Sequence, residues 1–246
     1  MTFTTDGIVL RASPAGESDL LVVLLTGDRG VVSAFAKSAR RPKNKLHAGS
    51  CVFSYGSFTF FEGSSALKMT ECEPLENFFD LRNDITSLAA AQYLCELTSR
   101  LAPKETPARE ILRLLLNTLH FMTKPERNPL VLKSVFELRF ASLSGYMPDL
   151  VACAECGEFE TDPMYFDFDS GLLYCKSCRK NGANELSLKT VDAMRHICYA
   201  PMNRLFSIKP DKQTAEKLYS ACEEYIKRQT SYEFKTLEFL NSIRGC

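Results

Sequence analysis

The chain has 246 residues, 45% of them apolar, with 30 lysines and arginines balanced by 30 aspartates and glutamates. That is enough apolar material for one large domain or two to three small ones, and the balance of charge excludes a protein that gathers nucleic acid by its overall field. Any such binding must come from a local patch. The start, Met1-Thr2-Phe3-Thr4-Thr5-Asp6, has no signal-peptide character, and the longest aliphatic run, Leu20 to Leu25, is far short of the roughly 20 residues a membrane span needs. A cytoplasmic protein with no membrane role is expected.

The first 75 or so residues read as strands. Gly7 to Arg11 and Asp19 to Thr26 are β-branched and aliphatic runs of strand length, and Asp28-Arg29-Gly30 is a turn signal before Val31 to Ala36. After a polar loop, Cys51 to Phe61 reads as a fourth strand, and Gly63-Ser64-Ser65 turns the chain into a fifth, Ala66 to Cys72. Five strands joined by short turns predict a small closed antiparallel barrel, the OB-fold being the leading candidate.

Near Pro74 the apolar period changes from 2 to 3.6. Ile85, Leu88, Ala89, Tyr93 and Leu97 form one helical stripe that stops near Pro103. A second helix opens at Thr106-Pro107 with Ile111, Leu112, Leu115 and Leu119 as its stripe, and a third opens at Asn128-Pro129 and runs to Gly145. Residues 150–186 are dense in cysteine, glycine and turn formers, and beyond them Ser187 to Tyr199, Asp211 to Arg228 and Glu233 to Ile243 read as helices. The predicted organisation is α+β: an OB-fold DNA-binding barrel over 1–76, a helical domain over 77–149 and 187–246, and a zinc-binding insert over 150–186.

Ten cysteines are present. Cys51, Cys72, Cys95, Cys198, Cys222 and Cys246 stand singly in apolar or helical segments and read as small buried hydrophobes. The other four are paired: Cys153-Ala154-Glu155-Cys156 is followed after 18 residues by Cys175-Lys176-Ser177-Cys178. Each Cys-x-x-Cys presents two thiolates, and two such knuckles complete a tetrahedral shell around one structural Zn2+ per chain. Gly157 follows the first pair, where a knuckle turn is expected to tolerate little bulk, and the residues between the pairs read as a short hairpin. A shell closed by four thiolates leaves no position for activating water. No phosphate-binding Gly-Lys-Ser/Thr loop, Gly-x-Ser-x-Gly or paired-His motif accompanies it, and His47, His120 and His196 stand in unrelated contexts. An enzyme is not expected.

From Arg29 to Phe61 there is no acidic residue, while Lys37, Arg40, Arg41, Lys43 and Lys45 crowd one loop. A short charge run is ordinarily a solvated loop, but a basic loop on an OB barrel suits contact with phosphates, with stacking aromatics on the strands. Phe53, Tyr55, Phe58, Phe60 and Phe61 fall on both strand faces, so some of them must be core.

With barrel, helical body and four-cysteine insert in this order, the chain resembles the bacterial recombination mediator family RecO. The resemblance is carried by Gly7-Ile8-Val9-Leu10, Gly16-Glu17-Ser18-Asp19, Leu25-Thr26 with Gly30, and Ala36 to Arg41. Further on it is carried by Phe136-Glu137-Leu138-Arg139, and by Gly145 to Leu150 leading into Cys153-Ala154-Glu155-Cys156-Gly157. It spans the chain to about residue 180 and thins in the helical tail. Membership implies binding of single- and double-stranded DNA and annealing of complementary strands. It also implies partnership with RecR, contact with the C-terminal tail of single-stranded DNA-binding protein (SSB), and, indirectly, assistance to RecA in recombinational repair. A nucleoid-associated cytoplasmic location and an absence of covalent chemistry are implied as well. Lys37, Arg40, Arg41, Lys43 and Lys45 match the family's DNA-binding region. The SSB tail, acidic and apolar at its end, would need an apolar groove rimmed by cations. Arg139 is one candidate for that rim, although an arginine packed along the core is the better reading. Lys176, Arg179 and Lys180 could extend the positive surface. The competing reading is a zinc-ribbon adaptor that works through protein contacts, with a purely structural barrel.

Overall fold

The aliphatic runs of the first 76 residues form β1 (Thr2–Ala15), β2 (Asp19–Thr26), β3 (Gly30–Ala36), β4 (Tyr55–Glu62) and β5 (Leu67–Glu76) in a computed structural model that describes residues 1–63 and 66–244. The turn read at Gly63-Ser64-Ser65 therefore lies largely outside the described residues, as does Cys246. The strands close into a barrel of order β1-β2-β3-β5-β4, antiparallel throughout except for the β3–β5 pair. This is the five-stranded OB arrangement expected from the sequence. With a side-chain period of 2, the register turns Val9, Val22, Leu24, Val32, Ala34, Phe58, Phe60 and Met69 inward as one core.

β1 is longer than its aliphatic run, because a bulge between Val9 and Arg11 lets one strand pair with β2 over its second half and β4 over its first. The fourth strand starts later than expected. Ala48–Ser50 forms a single 3-10 turn, and Phe53 takes a positive φ of 71° with its ring buried. The Phe53 N–H donates to the Val9 carbonyl and the Val9 N–H to the Ser54 carbonyl, each at 2.9 Å. The apolar character of this segment thus serves tertiary packing rather than a strand.

Outward-facing Ile8, Leu10, Val23 and Leu25 are also buried, because helix α1 (Ile85–Leu101) packs against β1 and β2. The Asp84 side chain caps α1 by accepting from the Ser87 N–H at 2.8 Å. The stripe's first member, Ile85, is 56% exposed, while Ala90, Ala91 and Leu94 are buried beside the expected residues. The buried arc is therefore wider than one stripe, since α1 is covered from more than one side. Helix α2 (Arg109–Met122) follows. Gly30, at φ +62°, lets the β3 edge reach the segment between these helices; a Cβ there would meet the Pro103 carbonyl oxygen at 2.1 Å.

Helix α3 (Pro129–Leu143) is capped by Asn128 with Pro129 at its first turn. It is followed by α4 (Leu188–Tyr199), the short α5 (Met202–Leu205), α6 (Lys212–Thr230) and α7 (Lys235–Arg244). Strands β6 (Met164–Asp167), β7 (Leu172–Tyr174) and β8 (Asn184–Leu186) lie between α3 and α4 and form a three-stranded sheet of order β7-β6-β8. The expected hairpin is β6–β7; β8 adds a third strand at its edge.

The chain divides into two units, Met1–Lys124 with Phe234–Cys246, and Pro125–Glu233. In the first, α7 returns to α1. The Tyr93 and Phe234 rings meet edge to face at 5.5 Å, and a Glu96 carboxylate oxygen accepts from the Thr236 N–H at 3.1 Å and its hydroxyl at 2.6 Å. In the second, α3, α4 and α6 pack together. No described helix is long and apolar enough to cross a membrane.

Candidate metal centre and nucleic-acid interface

Cys153, Cys156, Cys175 and Cys178 converge, their sulfur atoms all lying within 4.8 Å of one another. Four thiolates at Zn–S bonds of about 2.3 Å stand roughly 3.8 Å apart in a tetrahedron, and the Cys156 and Cys175 sulfurs are 3.7 Å apart. The donor set and its spacing fit a structural Zn2+. The backbone shapes each knuckle: the Gly157 N–H returns to the Cys153 carbonyl at 2.9 Å, and the Cys178 N–H to that of Cys175 at 3.2 Å. Gly157 adopts φ +75° with open space around its missing Cβ. It is the left-handed turn, not lack of room, that favours glycine there.

The sheet delivers the knuckles to one another. Tyr165 on β6 pairs with Tyr174 on β7, and both rings pack with Cys153 and Cys175 in one buried cluster. On the opposite face Phe166 packs 5.6 Å from the Tyr225 ring of α6, and Gln229 donates to the carbonyls of Phe168 and Asp169. Arg195 of α4 donates to the carbonyls of Leu150, Val151 and Phe159, holding the segment that enters the first knuckle.

The thiols are electrostatically linked. Burial pushes Cys153 up, but the N–H groups of Cys156, Cys175 and Glu155 outweigh it and bring that thiol down to about 6. Cys178, beside Cys175 and Cys156, is pushed up to about 12. Cys153 is poised to carry negative charge while Cys156 and Cys178 resist a second, an imbalance a divalent cation would relieve. The scattered thiols differ. Cys95 and Cys198 are buried and pushed up to about 12 and about 11, and Cys222 is raised by burial too. Cys51 and Cys72 are half-buried.

The basic loop is pinned to the end of the barrel. Ala39 and Leu46 are buried in the barrel core, Ser38 donates its N–H to Asp19 at 2.7 Å, and the Arg40 N–H meets the Ser18 carbonyl at 3.0 Å. This fixed frame sorts the five cations. Arg40 donates from its guanidinium to the carbonyls of Gly16 and Glu17, at 3.2 and 2.9 Å, tying the β1–β2 turn to the loop. Lys45 lies 3.6 Å from Glu71. Lys37, Arg41 and Lys43 are exposed, and among the described residues no ion pair engages them. All five share one loop, and these three present unpaired charge to solvent.

Of the aromatics read on the barrel, Phe53, Phe58 and Phe60 are buried, and Phe58 and Phe60 belong to the core. Tyr55 is half-buried, and Phe61 is 44% exposed. Phe35, absent from that reading, is 42% exposed; its signal was an outward position between inward Ala34 and Ala36. Arg139 donates to the carbonyls of Ile197 and Cys198 at the end of α4, as an arginine packed along the core does. Near the second knuckle, Lys180 lies 3.5 Å from Glu155 and over the Tyr174 ring, and Arg179 stands over Tyr165. Lys176 is exposed.

Both halves of the chain match models of one family. Residues 1–78 match the family described as Recombination protein O N terminal, and residues 82–238 match Recombination protein O C terminal. Among similar proteins, DNA repair protein RecO of Acetivibrio thermocellus is 32% identical over 241 residues, covering 97% of this chain and 96% of that protein. The proteins of the same name from Symbiobacterium thermophilum (33% identical; 99% and 98% covered) and Alkaliphilus metalliredigens (32%; 99% and 100%) align as fully. With both halves matched in order and relatives aligned from end to end, the chain belongs to the RecO family.

Proposed function

We propose that this RecO-family chain, whose kin support a role in recombinational repair, is a non-enzymatic mediator that binds and anneals DNA strands and helps load RecA onto SSB-coated single-stranded DNA. The observation that carries the reading is the loop at the barrel end, where Lys37, Arg41 and Lys43 stand exposed on a backbone fixed by Ser38, Ala39, Arg40 and Leu46. Annealing requires that phosphate repulsion be screened while two strands are held close enough to pair. A fixed row of cations does this without turnover of a cofactor, releasing counterions as it binds. Residues 1–76 act as the DNA-binding domain, with Arg40 and Lys45 shaping the loop and adding to its field.

On this reading Cys153, Cys156, Cys175 and Cys178 hold one Zn2+ that folds the 150–186 insert within the helical residues 77–149 and 187–246; the metal supplies cross-linking and no catalysis. RecR and the C-terminal tail of SSB are the protein partners, and the setting is the bacterial cytoplasm at the nucleoid. The test is binding of a fluorescent single-stranded oligonucleotide across a salt series. The Lys37→Ala/Arg41→Ala/Lys43→Ala variant is expected to bind more weakly. Its slope of log affinity against log salt is expected to flatten by about 2, at roughly 0.7 for each phosphate no longer neutralised. Undiminished binding by the variant would remove the loop from the interface. Absence of binding by the unaltered protein would leave the barrel a structural module and favour an adaptor role.

A further inference from the structure

Outside the loop, the barrel wall carries a second feature fixed by strand register. Phe35 on β3 pairs with Lys68 on β5, and Lys68 pairs in turn with Phe61 on β4. Their neighbours Ala36, Met69 and Phe60 belong to the barrel core, so Phe35, Lys68 and Phe61 form one transverse row on the outer surface. Both rings are more than two-fifths exposed and Lys68 is exposed. Ile8, Leu10, Val23 and Leu25 are buried beneath α1, whereas the exposed outward positions nearby, Ser33 and Thr70, are small and polar. A lone exposed phenylalanine is ordinary; two in one row with a cation between them is a composed surface.

The spacing suits a strand of nucleotides. Phe35 and Phe61 are two strand spacings apart, roughly 10 Å, which leaves Lys68 where a phosphate joining two stacked bases would pass. Lys37 follows Phe35 by two residues, so the row runs directly into the basic loop. Two carboxylates on the same strands are occupied: Glu62 pairs with Arg29, which also lies over the Phe3 ring, and Glu71 lies 3.6 Å from Lys45. The row's own charge is the positive Lys68, and duplex DNA, whose bases are already stacked on each other, has no face to offer these rings. We infer that Phe35 and Phe61 are base-stacking residues for single-stranded DNA, with Lys68 contacting the phosphate between them. The inference rests on the proposed DNA-binding role of the loop and adds the part of the interface that distinguishes single strands from duplex.

The test compares oligo-dT with an abasic strand of equal length, binding each to the full chain and to Phe35→Ala/Phe61→Ala. Rings facing solvent can be removed without opening the core, and Phe35→Leu/Phe61→Leu keeps apolar volume without a ring should the alanine variant melt early. The unaltered protein is expected to prefer oligo-dT. Both variants are expected to bind oligo-dT about tenfold or more weakly, to bind the abasic strand and duplex as before, and to keep the salt dependence. Phe35→Tyr/Phe61→Tyr is expected to retain the preference. Equal binding of oligo-dT by the ring variants, while Lys37→Ala/Arg41→Ala/Lys43→Ala is weakened, would overturn the stacking inference and leave the loop reading intact. No binding of either strand by the unaltered protein would overturn both.

Discussion

Lys133 is fully buried on α3, its Nζ 2.8 Å from a Glu137 oxygen, 3.4 Å from Glu223 of α6, and 4.1 Å from the centre of the Tyr219 ring. Lys227 in turn lies 2.9 Å from Glu223, so charge balances within the cluster. Such a network is costly to dehydrate and more costly to break. Lys133→Ala is expected to destabilise the protein by about 3–5 kcal/mol, read as a shift of the urea midpoint. A loss below about 1 kcal/mol would mean that the pair is solvated in practice. Nothing in the sequence marks this site: Lys133 and Glu137 are four apart, as a surface pair would be, and their burial is decided by helices nearly a hundred residues away. Arg40 shows the same limit. Its place in the basic loop was legible, but its bonds to Gly16 and Glu17 were not. Arg40→Ala is accordingly expected to lower the melting temperature as well as DNA affinity, whereas Arg41→Ala is expected to lower affinity alone. Equal melting temperatures would contradict that division.

At the scale of elements, boundaries were legible wherever side-chain chemistry sets them. Asn128 with Pro129, Ser187 and Asp211 each cap the helix that the sequence places after them. Asp84 does the same for α1 and supplies a pH test. Burial raises its carboxyl, but hydrogen bonds from Ser87 and the Thr86 N–H outweigh this and hold it below the usual range. A depressed folded-state value means the cap's stabilisation is complete above the unfolded value near 3.9 and fades as the pH falls through the folded one. Asp84→Ala is expected to cost about 1 kcal/mol at neutral pH, with the difference from the unaltered protein shrinking in acid. A gap that persists unchanged in acid would argue against the carboxylate cap. The four-cysteine module, proposed to hold Zn2+, is also testable as an element. Chelation is expected to raise amide exchange in β6, β7 and both knuckles while the barrel strands stay protected, and acid to release the metal because the sulfurs must be deprotonated to bind. Where tertiary packing decides, the sequence was mute: Cys51 to Ser54 has strand composition yet turns to bury Phe53, and β8 is too short to carry a period.

For the whole molecule, the α+β organisation, the barrel and the cysteine knuckles were readable because each rests on local pattern: period 2, period 3.6 and Cys-x-x-Cys spacing. The stacking row was not, because it depends on β3 lying parallel to β5, a pairing between residues more than thirty positions apart. The candidate interface therefore joins one feature written in sequence, the basic loop, to one that only the closed barrel assembles. Its purpose under the proposed function is to bring single strands together, and that is open to a direct measurement. Complementary oligonucleotides are coated with SSB, and their annealing is followed by fluorescence quenching with and without this protein. Accelerated annealing is expected at low salt, falling steeply as salt is raised and largely abolished in Lys37→Ala/Arg41→Ala/Lys43→Ala. Annealing no faster than with SSB alone at low salt would contradict the mediator role.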